Sequence, residues 1–282
     1  MPQTDSPLVS PQWVAQKLGS PDLAILDASW HLPTANRDPR EEFMQGHIPG
    51  AVFFDIDAIS DPASGLPHML PDAPSFAKAM GALGISENMT IVVYDTLGLF
   101  SAPRAWWTLQ TFGASNVYVL DGGLPAWRAA ELPIESGEAE PEPAIFNAQL
   151  NNGAVASIED VAAALRNHTA QVADARSAER FSGAAPEPRP GLRSGHMPGA
   201  KNLPMGKLVA DGRMKPPADL LAAFHEARLD PDAPLITSCG SGVTAAVINL
   251  ALACAGKPAP RLYDGSWTQW ASTPNAPIEP AP

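Results

Sequence analysis

Short continuous apolar runs alternate along the chain with stretches whose apolar positions recur every three to four residues. The runs at 23–28, 51–54, 90–94 and 117–120 predict strands. The stretches at 12–18, 75–83, 102–112 and around 126–130 predict helices. The first helix is capped by Ser10, with Pro11 at its first position. Short strands alternating with helices predict α/β units built on a largely parallel sheet.

The second half repeats the first. Ala173-Asp174-Ala175 matches Leu26-Asp27-Ala28. Gly195-His196-Met197-Pro198-Gly199-Ala200 matches Gly46-His47-Ile48-Pro49-Gly50-Ala51. Leu262-Tyr263-Asp264-Gly265-Ser266-Trp267 matches Val119-Leu120-Asp121-Gly122-Gly123-Leu124. The three pairs lie 147 (174 − 27), 149 (195 − 46) and 143 (264 − 121) residues apart. Near-constant offsets over three motifs predict a duplicated domain. The expected division is 1–135, a linker at 136–156 rich in Glu, Pro and Ala, and 157–282.

A duplication supplies an internal control. Features in both halves predict scaffold, and features in one half are candidates for chemistry. His47 and His196 share a slot, so the Gly-His-x-Pro-Gly-Ala turn reads as structural. The pairs Asp27/Asp174 and Asp121/Asp264 read the same way.

Cys239 has no such partner. A short apolar run at 235–238 delivers it into the loop Cys239-Gly240-Ser241-Gly242-Val243-Thr244, ahead of an apolar stretch at 245–255 that reads as a helix. Loop amides and a helix N-terminus favour negative charge on such a sulfur. Taken alone, the same pattern also fits a buried cysteine ending a strand. The matching first-half loop begins at Asp95 and lacks a cysteine, which favours the reactive reading.

Arginine use differs as well. Glu42-Phe43 matches Arg180-Phe181. Gly46 follows Phe43 by three positions and Gly195 follows Phe181 by fourteen, so eleven residues are inserted, bringing Arg189 and Arg193. A planar guanidinium grips a carboxylate at two points, so this loop suggests an anion site; for Arg193 a solvated surface position fits equally. Asp57 and His68 are the third asymmetry, since the matching stretch 205–217 has no histidine. An Asp57–His68–Ser241 proton relay is compatible with these residues but spacing does not establish it.

Bulk properties narrow the field. The chain has 282 residues, 45% hydrophobic, with net charge −12. No Lys/Arg cluster suggests nucleic acid, and no segment has the length to span a bilayer. Residues 1–10 lack the basic and apolar regions of a signal peptide. Of the two cysteines, Cys254 would lie roughly 15 Å along a helix from the loop at ~1.5 Å per residue. That is beyond the ~7 Å a disulfide allows, which suits a reducing cytoplasm, and Cys254 reads as core packing. Among 31 prolines, several make the tail 274–282 irregular. The loop has no Walker lysine or full dinucleotide fingerprint. A cysteine phosphatase would need Cys-x5-Arg, and position 245 is Ala.

The Gly-His-Ile-Pro-Gly-Ala turn, the cysteine loop confined to the second repeat and the close Tyr263-Asp264-Gly265-Ser266-Trp267 resemble the rhodanese superfamily of sulfurtransferases, over about residues 8–270. The resemblance implies two tandem rhodanese-like domains, each a mostly parallel sheet flanked by helices. The loop is similar to that of the branch taking sulfur from 3-mercaptopyruvate; the thiosulfate branch typically carries Cys-Arg-Lys-Gly-Val-Thr. The resemblance further implies Cys239 as nucleophile and persulfide carrier, with Ser241, His68 and Asp57 as a relay. Arg180 and Arg189 would bind the substrate carboxylate and carbonyl, and Gly240, Gly242, Val243 and Thr244 would line the site. It implies no metal or organic cofactor, and thioredoxin, a small thiol or cyanide as acceptor. A thiosulfate sulfurtransferase and a persulfide carrier without turnover are the alternatives.

Overall fold

The computed structural model describes residues 6–279. Residues 1–5 and 280–282 lie outside it, and with them part of the predicted irregular tail. Two compact units divide the described chain: 6–61, 70–151 and 211–214 form the first, and 62–69, 152–210 and 215–279 the second. His68 therefore belongs to the second unit although it precedes that unit's other elements in sequence.

The first unit is a five-stranded sheet of β1 (Leu8–Val9), β2 (Leu23–Asp27), β3 (Ala51–Phe53), β4 (Thr90–Tyr94) and β5 (Val117–Leu120), in the order β1-β5-β4-β2-β3. The second is β6 (Val155–Ala156), β7 (Gln171–Asp174), β8 (Lys201–Asn202), β11 (Leu235–Ser238) and β12 (Arg261–Tyr263), in the order β6-β12-β11-β7-β8. The short strands β9 (Val209–Ala210) and β10 (Arg213–Met214) lie outside both sheets. Every pairing in the two sheets is parallel. The two orders are one topology written twice, so the duplication read from three motifs extends to the sheet itself.

Helices α1 (Pro11–Ala15), α2 (Pro39–Gln45), α3 (Ala73–Ala82), α4 (Ala102–Thr111) and α5 (Gly123–Ala129) flank the first sheet. Helices α6 (Ile158–Asn167), α7 (Ala178–Ser182), α8 (Pro217–Glu226), α9 (Ala245–Cys254) and α10 (Ser266–Ser272) flank the second. Among the described residues no helix is long and apolar enough to cross a membrane. Ser10 caps α1 as predicted, accepting from Trp13 N. The helix stops at Ala15, short of the expected 18, because Lys17 N closes a tighter turn onto Val14 O. Among the elements not predicted, β1 is only two residues long, and α2 is a seven-residue helix opened by the carboxylate of Asp38.

The shared motifs are scaffold. His47 stacks on Phe43 and His196 on Phe181, each with centroids 3.9 Å apart. His47 Nδ1 lies 2.7 Å from Phe43 O and His196 Nδ1 3.0 Å from Phe181 O. A carbonyl only accepts, so each Nδ1 carries the proton. The backbone of each histidine also bridges a later strap, at Glu135 and Glu279 respectively. Trp127 and Trp270 share a slot too; both are buried, and each indole donates to a proline carbonyl, of Pro133 and Pro277. Burying one indole contributes on the order of 4 kcal/mol by area.

Residues 136–156, read from composition as a linker, are fastened to the first unit over much of their length. Phe146 is buried edge-on against Phe76, and Ala144, Gln149 and Asn151 donate backbone N–H groups to Gly81, Phe112 and Thr111. One aromatic anchor and regular backbone bonding override a composition typical of spacers.

Candidate active site

The central strand of the second sheet, β11, ends at Ser238, between β7 and β12. The next residue is Cys239. Loops at the carboxyl ends of parallel strands are where α/β sheets present ligand-binding groups. Helix α9 begins at Ala245, after a turn in which Gly242 takes φ +79°. Residues 245–252 of α9 are all buried, which fixes the helix and with it the exit of the loop.

Cys239 is 2% exposed. Its N–H donates to Ser266 Oγ (3.1 Å), and its carbonyl accepts from Trp267 N (2.9 Å). The Gly240 carbonyl accepts twice, from Thr268 N (2.9 Å) and Thr268 Oγ1 (2.7 Å). The loop carbonyls are thus taken up by the start of α10. The N–H groups of Gly240, Ser241, Val243, Thr244 and Ala245 find no protein acceptor among the described residues. Backbone donors left free beside a sulfur are the equipment for holding a sulfur anion.

The matching loop of the first unit shows what such a loop holds. There Asp95 turns its carboxylate back onto the loop. Oδ1 accepts from Leu97 N (2.9 Å), and Oδ2 from Phe100 N (2.8 Å), Ser101 N (2.9 Å) and Ala102 N (2.8 Å). The first unit carries its own anion in the position where the second carries Cys239.

His68 and Ser241, 173 residues apart, meet within the second unit. Both are buried, and His68 Nδ1 lies 3.0 Å from Ser241 Oγ and 3.2 Å from Ser241 O. His68 adopts φ +62°. A non-glycine residue in that region costs about 1 kcal/mol or more and persists where its surroundings demand it. Asp57 belongs to the first unit, where its Oδ2 accepts from Trp30 Nε1 (3.0 Å).

Arg180 reaches the loop. A Cβ added at Gly240 would lie 3.0 Å from Arg180 Nη2, so the guanidinium lies against the loop at this glycine. Arg189 is half-buried in the inserted segment. Arg193, the other arginine of that insertion, is structural. Its guanidinium donates to the carbonyls of Trp270, Ala271, Thr273 and Ala276, closing the end of α10. It is therefore neither the anion-binding nor the solvated residue that composition allowed. The insertion does contain a chemically coupled residue, Glu187, that composition does not single out.

Glu187 is buried between two arginines. Its Oε1 accepts from Arg176 Nη1 (2.8 Å) and its Oε2 from Arg180 Nη2 (2.5 Å). Arg176 also grips Asp174 with Nε and Nη2 and lies 4.3 Å over the Trp267 ring. Burial disfavours the charge on Arg176, but Asp174 and Glu187 more than offset this and hold its affinity for a proton above the usual range. The first half has Ser29 where the second has Arg176. There, burial pushes the Asp27 carboxyl up to about 6 despite hydrogen bonds from Ser29. The signal was legible as another one-half arginine, in Asp174-Ala175-Arg176 against Asp27-Ala28-Ser29.

The class is thereby defined: a duplicated parallel α/β protein with one cysteine loop and one aspartate loop. The rhodanese-like domain model matches residues 10–130 and 157–273, and the chain belongs to that family. It is 47% identical over 273 residues to the 3-mercaptopyruvate sulfurtransferase of Escherichia coli K12, covering 96% of this chain and 97% of the relative. It is 43% identical over 271 residues to a bovine thiosulfate sulfurtransferase, covering 93% and 91%. A crystal structure of a 3-mercaptopyruvate sulfotransferase from Escherichia coli superposes with TM-score 0.87 at 46% identity, over 93% of this chain and 99% of that one.

Proposed function

We propose that this enzyme moves sulfur from 3-mercaptopyruvate to a thiol acceptor or cyanide through a persulfide on Cys239, releasing pyruvate. The observation that carries the donor choice is the pair Gly240 and Ser241, neutral and tied to His68 through Ser241 Oγ. A dianion such as thiosulfate favours cations in those positions.

The thiolate of Cys239 attacks the donor sulfur. An S–S bond forms, the C–S bond breaks, and its electron pair passes into the enolate of pyruvate. The proton that leaves the donor thiol ends on the enolate carbon, so a thiolate and a thiol become a persulfide anion and pyruvate. Arg180 and Arg189 hold the carboxylate and carbonyl. Gly242, Val243 and Thr244 shape the loop whose amides face the anion. Because the Ser241 carbonyl only accepts, His68 Nδ1 carries the proton and donates to Ser241 O and Oγ, and the pair handles the proton; Asp57 is the carboxylate that the family pattern assigns to this relay. In the second half-reaction a thiolate or cyanide attacks the outer sulfur and Cys239 leaves as thiolate. Thioredoxin and small thiols are the acceptors of suitable chemistry. Both cysteines are unbridged, and we assign the reducing cytoplasm as the compartment.

Intact-mass analysis after 3-mercaptopyruvate without acceptor tests this reading. The expected result is a gain of one sulfur atom on Cys239 with one equivalent of pyruvate. A higher kcat/KM for thiosulfate than for 3-mercaptopyruvate would overturn the donor choice.

Glu187→Gln should raise KM for 3-mercaptopyruvate about 10-fold with a much smaller change in kcat. It removes the charge that anchors Arg180 and leaves Arg176 with one counter-ion, costing about 2–3 kcal/mol of stability. Steady-state kinetics and denaturant titration read both effects; an unchanged KM would show that Arg180 needs no anchor.

A further inference from the structure

The two halves differ at one more point, the residues that clamp the loop. The first unit has Gly123-Leu124-Pro125 where the second has Ser266-Trp267-Thr268. Leu124 N donates to Asp95 O (3.0 Å) as Trp267 N donates to Cys239 O (2.9 Å), so one backbone bond is common. The others are not. Gly123 has no hydroxyl, and Pro125 has neither hydroxyl nor N–H. Ser266 Oγ accepts from Cys239 N and donates to Tyr263 O (2.8 Å), while Thr268 donates twice to Gly240 O.

The backbone shows that this clamp opposes local preference. Gly123 sits at φ +54° and Ser266 at φ +47°. The same left-handed slot is filled by glycine in one unit, without strain, and in the other by a fully buried serine that must be forced into it. What serine adds is an oxygen for the amide of the nucleophile.

We infer that Ser266, seconded by Thr268, is a positioning residue for sulfur transfer: the pair holds the Cys239 and Gly240 backbone so that the loop N–H groups stay turned toward the sulfur. The consequence rests on the sulfur-transfer reading above. With both carbonyls and the Cys239 amide fixed, the remaining amides are preorganised for a thiolate or persulfide and need not reorient during the reaction. The first unit needs no such clamp, because Asp95 binds its own loop covalently tethered.

Ser266→Gly installs the residue of the first half and relieves the left-handed strain. It is expected to lower kcat about 10-fold while KM for 3-mercaptopyruvate stays within about 2-fold. The rate of Cys239 alkylation by iodoacetamide should fall in parallel, a readout independent of the sulfur donor. Thr268→Val, which keeps shape and backbone N–H, should lower kcat about 3-fold. Tm and near-ultraviolet circular dichroism report whether each variant is folded. Wild-type kcat and alkylation rate in both variants would overturn the inference. So would a loss of activity that follows a fall in Tm and is restored by assay at lower temperature, since that assigns the clamp to stability alone. If wild type itself forms no persulfide with 3-mercaptopyruvate, the donor reading fails, while the alkylation rates still decide the role of Ser266.

Discussion

Cys239→Ser is expected to abolish pyruvate release and persulfide formation, with kcat reduced by on the order of 10⁴ or more, while the fold is retained. The loss follows from chemistry, since a serine hydroxyl is neither ionised at neutral pH nor thiophilic, and no S–S bond can form on oxygen. Retention of the fold follows from geometry. The bonds that fix residue 239, to Ser266 Oγ and from Trp267 N, are made by its backbone and not by its sulfur. Replacing a buried thiol by a hydroxyl of similar shape should cost about 1 kcal/mol. Intact mass, pyruvate release and Tm measure the three quantities. Cys254→Ser is the control, because Cys254 ends α9 and is only half-buried. Pyruvate release from Cys239→Ser at the wild-type rate, or its loss in Cys254→Ser, would move the nucleophile away from the loop.

The duplication makes much of this legible in the sequence. Motifs near 27, 46 and 121 and their partners placed equivalent strands, and the sheet orders repeat as those offsets require. The same control separated His47 and His196, both stacked on phenylalanine, from the unmatched Cys239. What remained hidden has a common cause. Sequence periodicity reports which face of an element is buried, but not which distant residue meets it. His68 meets Ser241 across 173 positions and folds with the second unit. Glu187 joins two arginines that composition treated separately. Arg193 fitted an anion site or a solvated surface equally, because a guanidinium that closes a helix end and one that binds a carboxylate have the same side chain. The segment 136–156 looked like a spacer because one buried Phe146 hardly alters its composition.

These asymmetries belong together. The second half carries Arg176, Arg180, Glu187, Ser266 and Thr268 where the first has Ser29, Glu42, no counterpart, Gly123 and Pro125. A duplicated fold needs none of these differences to pack. Ser266 and Thr268 are bonded to the cysteine loop, Arg180 lies against Gly240, and Glu187 ties Arg180 to Arg176, so the chemistry proposed for one loop accounts for them with a single requirement: a sulfur anion beside an oriented cation.

Asp95→Ala should destabilise the first unit by about 4 kcal/mol, the largest effect on folding expected from a single residue here. The carboxylate is 1% exposed and accepts four backbone N–H bonds at 2.8–2.9 Å. A hydrogen bond to a buried charge contributes about 1.5–3 kcal/mol, and deleting the acceptor leaves each donor unpaired. Water entering the vacated space recovers part of the sum, which sets the estimate below the simple total. Helix α4 also loses the anion at its first turn, since the Ser101 hydroxyl is engaged with Trp30 N and does not cap it. Denaturant titration of Asp95→Ala should show this loss, and added formate should restore part of it by placing a free carboxylate where the tethered one stood. Asp95→Asn should recover less than formate does, because its amide nitrogen would face N–H donors. An unchanged midpoint in Asp95→Ala would show that the loop amides gain nothing from an anion. The comparison that assigns the same preference to the Cys239 loop would then lose its basis.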